Sequence, residues 1–235
     1  MIDIETTGSD PAKDRICEIA SIDLAKVSDK YISTNGRSTL VNPGIPMLAE
    51  ASAVHHIVDG DLRDAPCIQA VIFPFTEHYD SKLVMVAHNA SFERSFLTPL
   101  FDECECQPKW VCTYRVALRV WPDLPSHSNQ FLRYHLGFVN PLGMARDQIV
   151  AHRALGDCYV TGAIFLALVQ RASFADMLAW SDEPPLKSVI TFGKHKGIRY
   201  DAAPRDYLEW IVNKSDMDAD TKYCARHWLN QKVAA

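Results

Sequence analysis

The chain opens on an alternation of period two. In Ile2-Asp3-Ile4-Glu5 the isoleucines fall on one face of a strand and the two carboxylates on the other, and Thr6-Thr7-Gly8 ends the run. One residue precedes Ile2, so this strand reads as shortened at its start. Ile16 to Leu24 predicts a second strand with imperfect alternation. Asn35-Gly36 predicts a turn, and Ser38 to Val41 a third strand stopped by Asn42-Pro43-Gly44. Three strands with short connections predict an antiparallel meander.

The period then changes. Leu83-Val84-Met85-Val86-Ala87 is a continuous apolar run, the pattern of a strand buried on both faces. Helical spacing follows at Phe92, Phe96, Leu97 and Leu100. A fifth strand is predicted over Trp110 to Thr113, and helices over Tyr114–Val120, Asn129–Leu136 and Gly156–Arg171. Strands interleaved with helices give an α/β class. Ser181-Asp182-Glu183-Pro184-Pro185 reads as a linker. The expected division is therefore a main domain over 1–180, a linker over 181–188 and a small module over 189–235.

Composition narrows the reading. At 235 residues, 48% hydrophobic and 23% charged, the chain has ordinary globular proportions. It contains no apolar run of the roughly 20 residues that span a bilayer and no basic-then-apolar leader, so a soluble cytoplasmic protein is expected. The seven cysteines lack the paired C-x-x-C knuckles of a zinc site, and Cys104 and Cys106 stand too close together for half of one. A net charge of −5 argues against general polyanion binding. Carboxylates that hold divalent cations nevertheless make a nucleic-acid enzyme look acidic, so any basic contact surface must be local.

Three segments carry chemistry. Asp3 and Glu5 repel one another on one strand face unless a cation sits between them, and Mg²⁺ prefers such oxygen ligands. Two unrelated acids at a solvated strand end would look the same. His88-Asn89-Ala90-Ser91-Phe92-Glu93 joins a buried strand to a helix, at the strand end where open α/β sheets bind ligands. A first-turn glutamate also opposes the helix dipole, and Phe92 serves equally as core or as a stacking ring. His152 and Asp157 lie about 140° apart on an ideal helix. They converge only if His152 sits in the loop entering the helix and Asp157 in its first turns.

In order, spacing and context these segments resemble the DEDDh exonuclease family: D-x-E-T-T-G, H-N-A-x-F and H-x-x-x-x-D. The similarity covers roughly residues 1–171 and includes Leu40-Val41-Asn42-Pro43-Gly44, Ala53-Val54-His55-His56-Ile57 and Cys112-Thr113. Thr191-Phe192-Gly193-Lys194-His195-Lys196-Gly197 with Tyr207-Leu208-Glu209-Trp210 resembles the C-terminal module of the exodeoxyribonuclease X branch. The resemblance implies a ribonuclease H-like fold, a mixed five-stranded sheet flanked by helices, and a two-metal phosphodiesterase. Asp3, Glu5 and Asp157 would ligate two Mg²⁺, with Mn²⁺ able to substitute. Glu93 would be the fourth acid, standing where the family has Asp, and His152 the general base. Thr6, Thr7, Gly8, His88, Asn89 and Phe92 would line the terminal-nucleotide pocket.

The implied reaction is 3′→5′ hydrolysis of DNA to 5′-mononucleotides, with the imidazole taking the proton of the attacking water. Lys187, Lys194, Lys196, Arg199 and Arg205, against Asp201 alone across 186–205, form a local basic excess, with Lys194, Lys196 and Arg199 as candidate backbone contacts. The partner is nucleic acid, DNA 3′ ends over RNA, with a replication or repair protein left open and no membrane. Rival readings are an RNA-trimming exonuclease, a polymerase proofreading subunit, and a binding protein that has lost catalysis.

Overall fold

The structure, a computed structural model, describes residues 1–27, 30–72, 75, 84–103 and 107–234. Leu83, Cys104 and Cys106 lie outside them. Strand β1 (Ile2–Thr6) pairs antiparallel with β2 (Ile16–Val27), and β2 with β3 (Lys30–Leu40), as the alternation predicts. Ile2 and Ile4 are buried in the core, which turns Asp3 and Glu5 to the opposite face.

Asn35-Gly36 is not a turn. Ser21 pairs with Arg37 and Asp23 with Thr34, so these two residues oppose Ile22 alone, a bulge inside β3. A Cβ at Gly36 would stand 3.0 Å from the Tyr159 hydroxyl. The glycine thus serves the approach of a helix to the sheet.

Helices α1 (Ala49–His55), α2 (Asp59–Leu62) and α3 (Ile68–Val71) follow the meander. Strand β4 (Val84–Ala87) leads into α4 (Ser91–Glu103), and β5 (Lys109–Cys112) into α5 (Thr113–Val120). β4 and β5 pair in parallel as a two-stranded sheet of their own, and β4 lies against β1 without a described ladder between them, so the expected mixed five-stranded sheet is found as a three-stranded antiparallel sheet beside a two-stranded parallel one.

The next elements are α6 (Asn129–His135), α7 (Ala154–Leu168) and α8 (Phe174–Asp182). α7 packs on β1, β2, β4, α5 and α6. Being buried around most of its circumference, it is apolar on nearly every side. One core gathers Ile2, Ile4, Leu97, Phe101 and Trp110, and another Val86, Val111, Leu132, Ile164 and Leu168.

The predicted linker starts too early. Ser181 and Asp182 close α8, and the buried Ser181 hydroxyl accepts the Cys112 N–H at 2.7 Å while donating to the Met177 carbonyl at 2.6 Å. Beyond it, α9 (Arg205–Asn213) and α10 (Ala219–Ala234) enclose their own core of Ile190, Tyr200, Leu208, Ile211 and Cys224. This part is tied to the end of α5: Arg119 pairs with Glu183 at 2.6 Å, Arg199 pairs with Asp123, and the Ser188 hydroxyl donates to the Pro122 carbonyl. Among the described residues no helix is long and apolar enough to cross a membrane.

Candidate active site

Strand β1 presents Asp3 and Glu5, the first turn of α4 presents Glu93, and the first turn of α7 presents Asp157. One carboxylate oxygen from each of Asp3, Glu5 and Asp157 lies within 4.8 Å of the other two. They line a cleft of about 500 Å³ together with His88, Asn89, Phe92, Glu93, Tyr114, Ser128, Asn129 and His152. Segments separated by some 90 and 60 residues therefore reach one site.

Its electrostatics are dominated by burial and mutual repulsion. Burial, then the neighbouring Glu93, Asp157, Glu5 and Glu18, holds the Asp3 carboxyl well above the usual carboxylate range. Burial and Asp157 push Glu5 up to about 9, and burial pushes Glu93 up to about 8. Asp157 is raised by burial, against the hydrogen bonds of Gln130 and the His152 backbone. Glu93 is 3% exposed, and its Oε2 has no hydrogen-bond partner among the described residues. Buried and half-buried, mutually repelling oxygen donors with an orphaned atom among them fit hard divalent cations.

His152 occupies the turn before α7 with a left-handed φ of 58°, and its side chain is exposed at the cleft. Its N–H donates to Asp157 Oδ2 at 3.0 Å while Gln130 Nε2 donates to Asp157 Oδ1 at 2.7 Å, which fixes that carboxylate. The His152/Asp157 pair thus meets from a turn and a helix, the arrangement their spacing requires.

The residues expected to contact substrate separate. His88, Asn89 and Phe92 line the cleft; Thr6, Thr7 and Gly8 are not part of its lining. Thr6 donates to the Gly8 carbonyl at 2.6 Å and Thr7 to Asp14 at 3.1 Å, so both buried hydroxyls are engaged within their own turn. Gly8 is required by packing, because a Cβ there would stand 2.5 Å from the Asp14 carboxylate. His88 has both ring nitrogens engaged: Nε2–H donates to the His127 carbonyl at 2.9 Å, which leaves Nδ1 to accept from the Thr113 hydroxyl at 2.9 Å. Burial lowers its pKa to about 4, so the ring is neutral and holds the 127–129 loop beside the cleft. Phe92 is half-buried against Phe96, with ring centroids 5.2 Å apart.

Several supporting residues escaped the sequence reading. Glu18 pairs with Glu5 across β1 and β2, and its buried carboxylate accepts Arg153 Nε at 3.0 Å, Arg153 Nη2 at 2.8 Å and the Ala154 N–H at 3.1 Å. The bidentate clamp fixes the start of α7, and with it Asp157, against the sheet. His55 Nδ1 accepts the Ile57 N–H at 3.1 Å, so its Nε2–H donates to the Thr6 carbonyl at 3.2 Å behind β1. Strand pairing gave the signal for Glu18, since D-x-E must oppose something on its neighbour.

In the C-terminal part, Lys194 and Lys196 are exposed, and neither pairs with a carboxylate of a described residue. Arg199 is taken by Asp201 at 2.8 Å and by Asp123, so the expected backbone contact at that position is corrected to an ion pair between the two parts of the molecule.

Carboxylates from a strand and two helix starts, converging where the antiparallel meander meets the parallel pair, define a ribonuclease H-like enzyme. The family model RNase_T, described as "Exonuclease", matches residues 1–165, and the chain belongs to that family. It is 34% identical to exodeoxyribonuclease 10 of Escherichia coli K12 over 97% of both chains. It is 31% identical to the DNA polymerase III subunit epsilon of Treponema pallidum over 71% of this chain and 74% of that one. Among solved structures, exonuclease X in complex with 5′-overhanging duplex DNA superimposes with a TM-score of 0.59 at 33% identity, covering 77% of this chain and 97% of that one. The protein is an exonuclease.

Proposed function

We propose that the chain is a Mg²⁺-dependent 3′→5′ exodeoxyribonuclease that releases 5′-mononucleotides. The observation that carries this reading is the convergence of Asp3, Glu5 and Asp157 to within 4.8 Å, with the unpartnered Glu93 carboxylate buried beside them. Asp3, Glu5 and Asp157 would hold two cations, and Glu93 would complete the set. When bound, such a pair supplies a nucleophilic water near neutral pH and offsets charge on the leaving 3′ oxygen.

The chain's own residues do the rest. His152, exposed beside Asp157, takes the proton of the attacking water, and its left-handed turn turns its own N–H onto the Asp157 carboxylate. Phe92 and Asn89 receive the terminal nucleotide, where stacking on a ring accepts any base. His88 keeps the 127–129 loop in place. DNA as the substrate is supported by the likeness to exodeoxyribonuclease 10 along nearly the whole chain.

The test uses 5′-labelled single-stranded DNA and the matching RNA, each with Mg²⁺ or EDTA. The expected product is a ladder shortening from the 3′ end of DNA, stopped by EDTA and slowed at least about 100-fold by Asp3→Ala. Equal activity of Asp3→Ala and wild type would overturn the site. Shortening of RNA with DNA untouched would favour the RNA-trimming reading.

A further inference from the structure

The molecule carries a second cleft, of about 540 Å³, in the C-terminal part, lined by Phe192, Gly193, Lys194, Tyr207, Trp210 and Met217, with Asp206 the acid among its lining. The chain builds it from two pieces. Ile190 and Ile198 close a hairpin at 2.9 Å, and Gly193 with φ +61° and Gly197 with φ +86° turn its tip, so Lys194 and Lys196 stand out from the loop. Facing it, α9 offers Tyr207 and Trp210 three residues apart on one side. Their rings are stacked, with centroids 5.8 Å apart and planes 21° apart. Trp210 remains 42% exposed, among the large hydrophobic side chains that reach solvent. Lys194 Nζ lies 5.7 Å from the Tyr207 ring centroid.

Its charges differ from those of the rest of this surface. Arg199 is neutralised by Asp201 and Asp123, and Arg205 by Glu209 at 2.8 Å. Lys194, which lines the cleft beside the Tyr207 ring, and Lys196, two residues on in the same loop, pair with no carboxylate of a described residue. An exposed tryptophan stacked on a half-buried tyrosine, which His195 supports at 4.3 Å between centroids, with two nearby lysines unpaired among the described residues, fits a chain of planar rings joined by anions. A duplex hides its base faces in its own stack, so the fit is to unpaired nucleotides. The cleft is also held in place: Arg199–Asp123 and Ser188–Pro122 fasten this part to the loop that continues into Ser128 and Asn129 at the active-site cleft.

Resting on the exonuclease reading, we infer that this cleft binds an unpaired stretch of the nucleic-acid substrate, with bases stacked on Trp210 and Tyr207 and phosphates on Lys194 and Lys196. It is an anchoring site separate from the carboxylates, and it makes the enzyme favour single strands or overhangs.

Binding of fluorescein-labelled oligo-dT to the full chain, followed by anisotropy in EDTA, tests this without hydrolysis. Trp210→Ala should weaken binding about tenfold and Trp210→Phe much less, since a stacking ring remains. Replacing both Lys194 and Lys196 with Ala should flatten the dependence of log affinity on log salt by about 1.4, the share of two phosphate contacts on a single strand. Blunt duplex should compete poorly. An affinity that Trp210→Ala leaves unchanged, or blunt duplex competing as well as oligo-dT, would overturn the inference. The Mg²⁺-dependent ladder of the wild type reads the other claim. Hydrolysis with Trp210-independent affinity sinks this site alone, whereas Trp210-dependent binding without hydrolysis sinks the exonuclease reading alone.

Discussion

At Glu93 one methylene separates this chain from the aspartate of the family it resembles. The structure accommodates it by burial: the side chain reaches from the first turn of α4 into the carboxylate cluster and leaves Oε2 unpartnered. Shortening it draws the carboxylate back by about 1.5 Å, and a displacement of about 1 Å at a reacting centre can cost about 100-fold. Glu93→Asp is therefore expected to lower kcat by about 10- to 100-fold in the ladder assay. A gain in kcat would contradict this and mean that the native glutamate restrains turnover. The acids themselves were legible, because D-x-E on a strand and a His five residues before an Asp have few arrangements that make chemical sense. The local turn that engages the Thr6 and Thr7 hydroxyls was not. Whether a threonine beside a site faces it depends on the turn that follows, and here Gly8 and Asp14 claim both hydroxyls.

Among the elements, α7 and β2 are joined by the Glu18–Arg153 clamp, with Glu18 4% and Arg153 40% exposed at the side chain. Removing one partner leaves a buried charge uncompensated, at a cost of about 3 kcal/mol. Arg153→Ala should lower Tm by roughly 6–12 °C for a chain of this size; a shift under about 2 °C would show that the clamp is dispensable. Strands and helices were legible wherever their period was clean, as in β1, α4 and β5. Asn35-Gly36 misled because the same dipeptide serves a two-residue hairpin or a bulge, and pairing with Ile22 decides which. Ser181 and Asp182 read as linker because a helix end followed by Pro-Pro has polar composition, whereas the Ser181 hydroxyl is a buried partner of β5.

For the whole molecule, the raised carboxylates link stability to pH and to metal. An unfolded glutamate titrates near ~4.3, whereas Glu5 sits at about 9 and Glu93 at about 8 in the fold. Below the unfolded value both states are protonated and the contribution is complete. As pH rises toward 8–9 the unfolded chain gives up protons that the folded chain keeps, so stability is lost. In EDTA, Tm should fall between pH 5 and pH 9, and Mg²⁺ should raise it more at pH 8 than at pH 5. A metal-induced shift of equal size at both pH values would contradict the linkage. The relation between the main fold and the C-terminal part was not legible, since it rests on ion pairs such as Arg199–Asp123 between distant segments.

The proposed exonuclease requires that Asp3, Glu5 and Asp157, with Glu93, make a divalent-cation centre. Electron paramagnetic resonance of free Mn²⁺ during titration of the protein tests it without relying on activity. Uptake of about two Mn²⁺ per wild-type chain is expected, with at least one lost in Asp3→Asn while the fold persists by circular dichroism. Equal uptake by wild type and Asp3→Asn, or none by either, would contradict it.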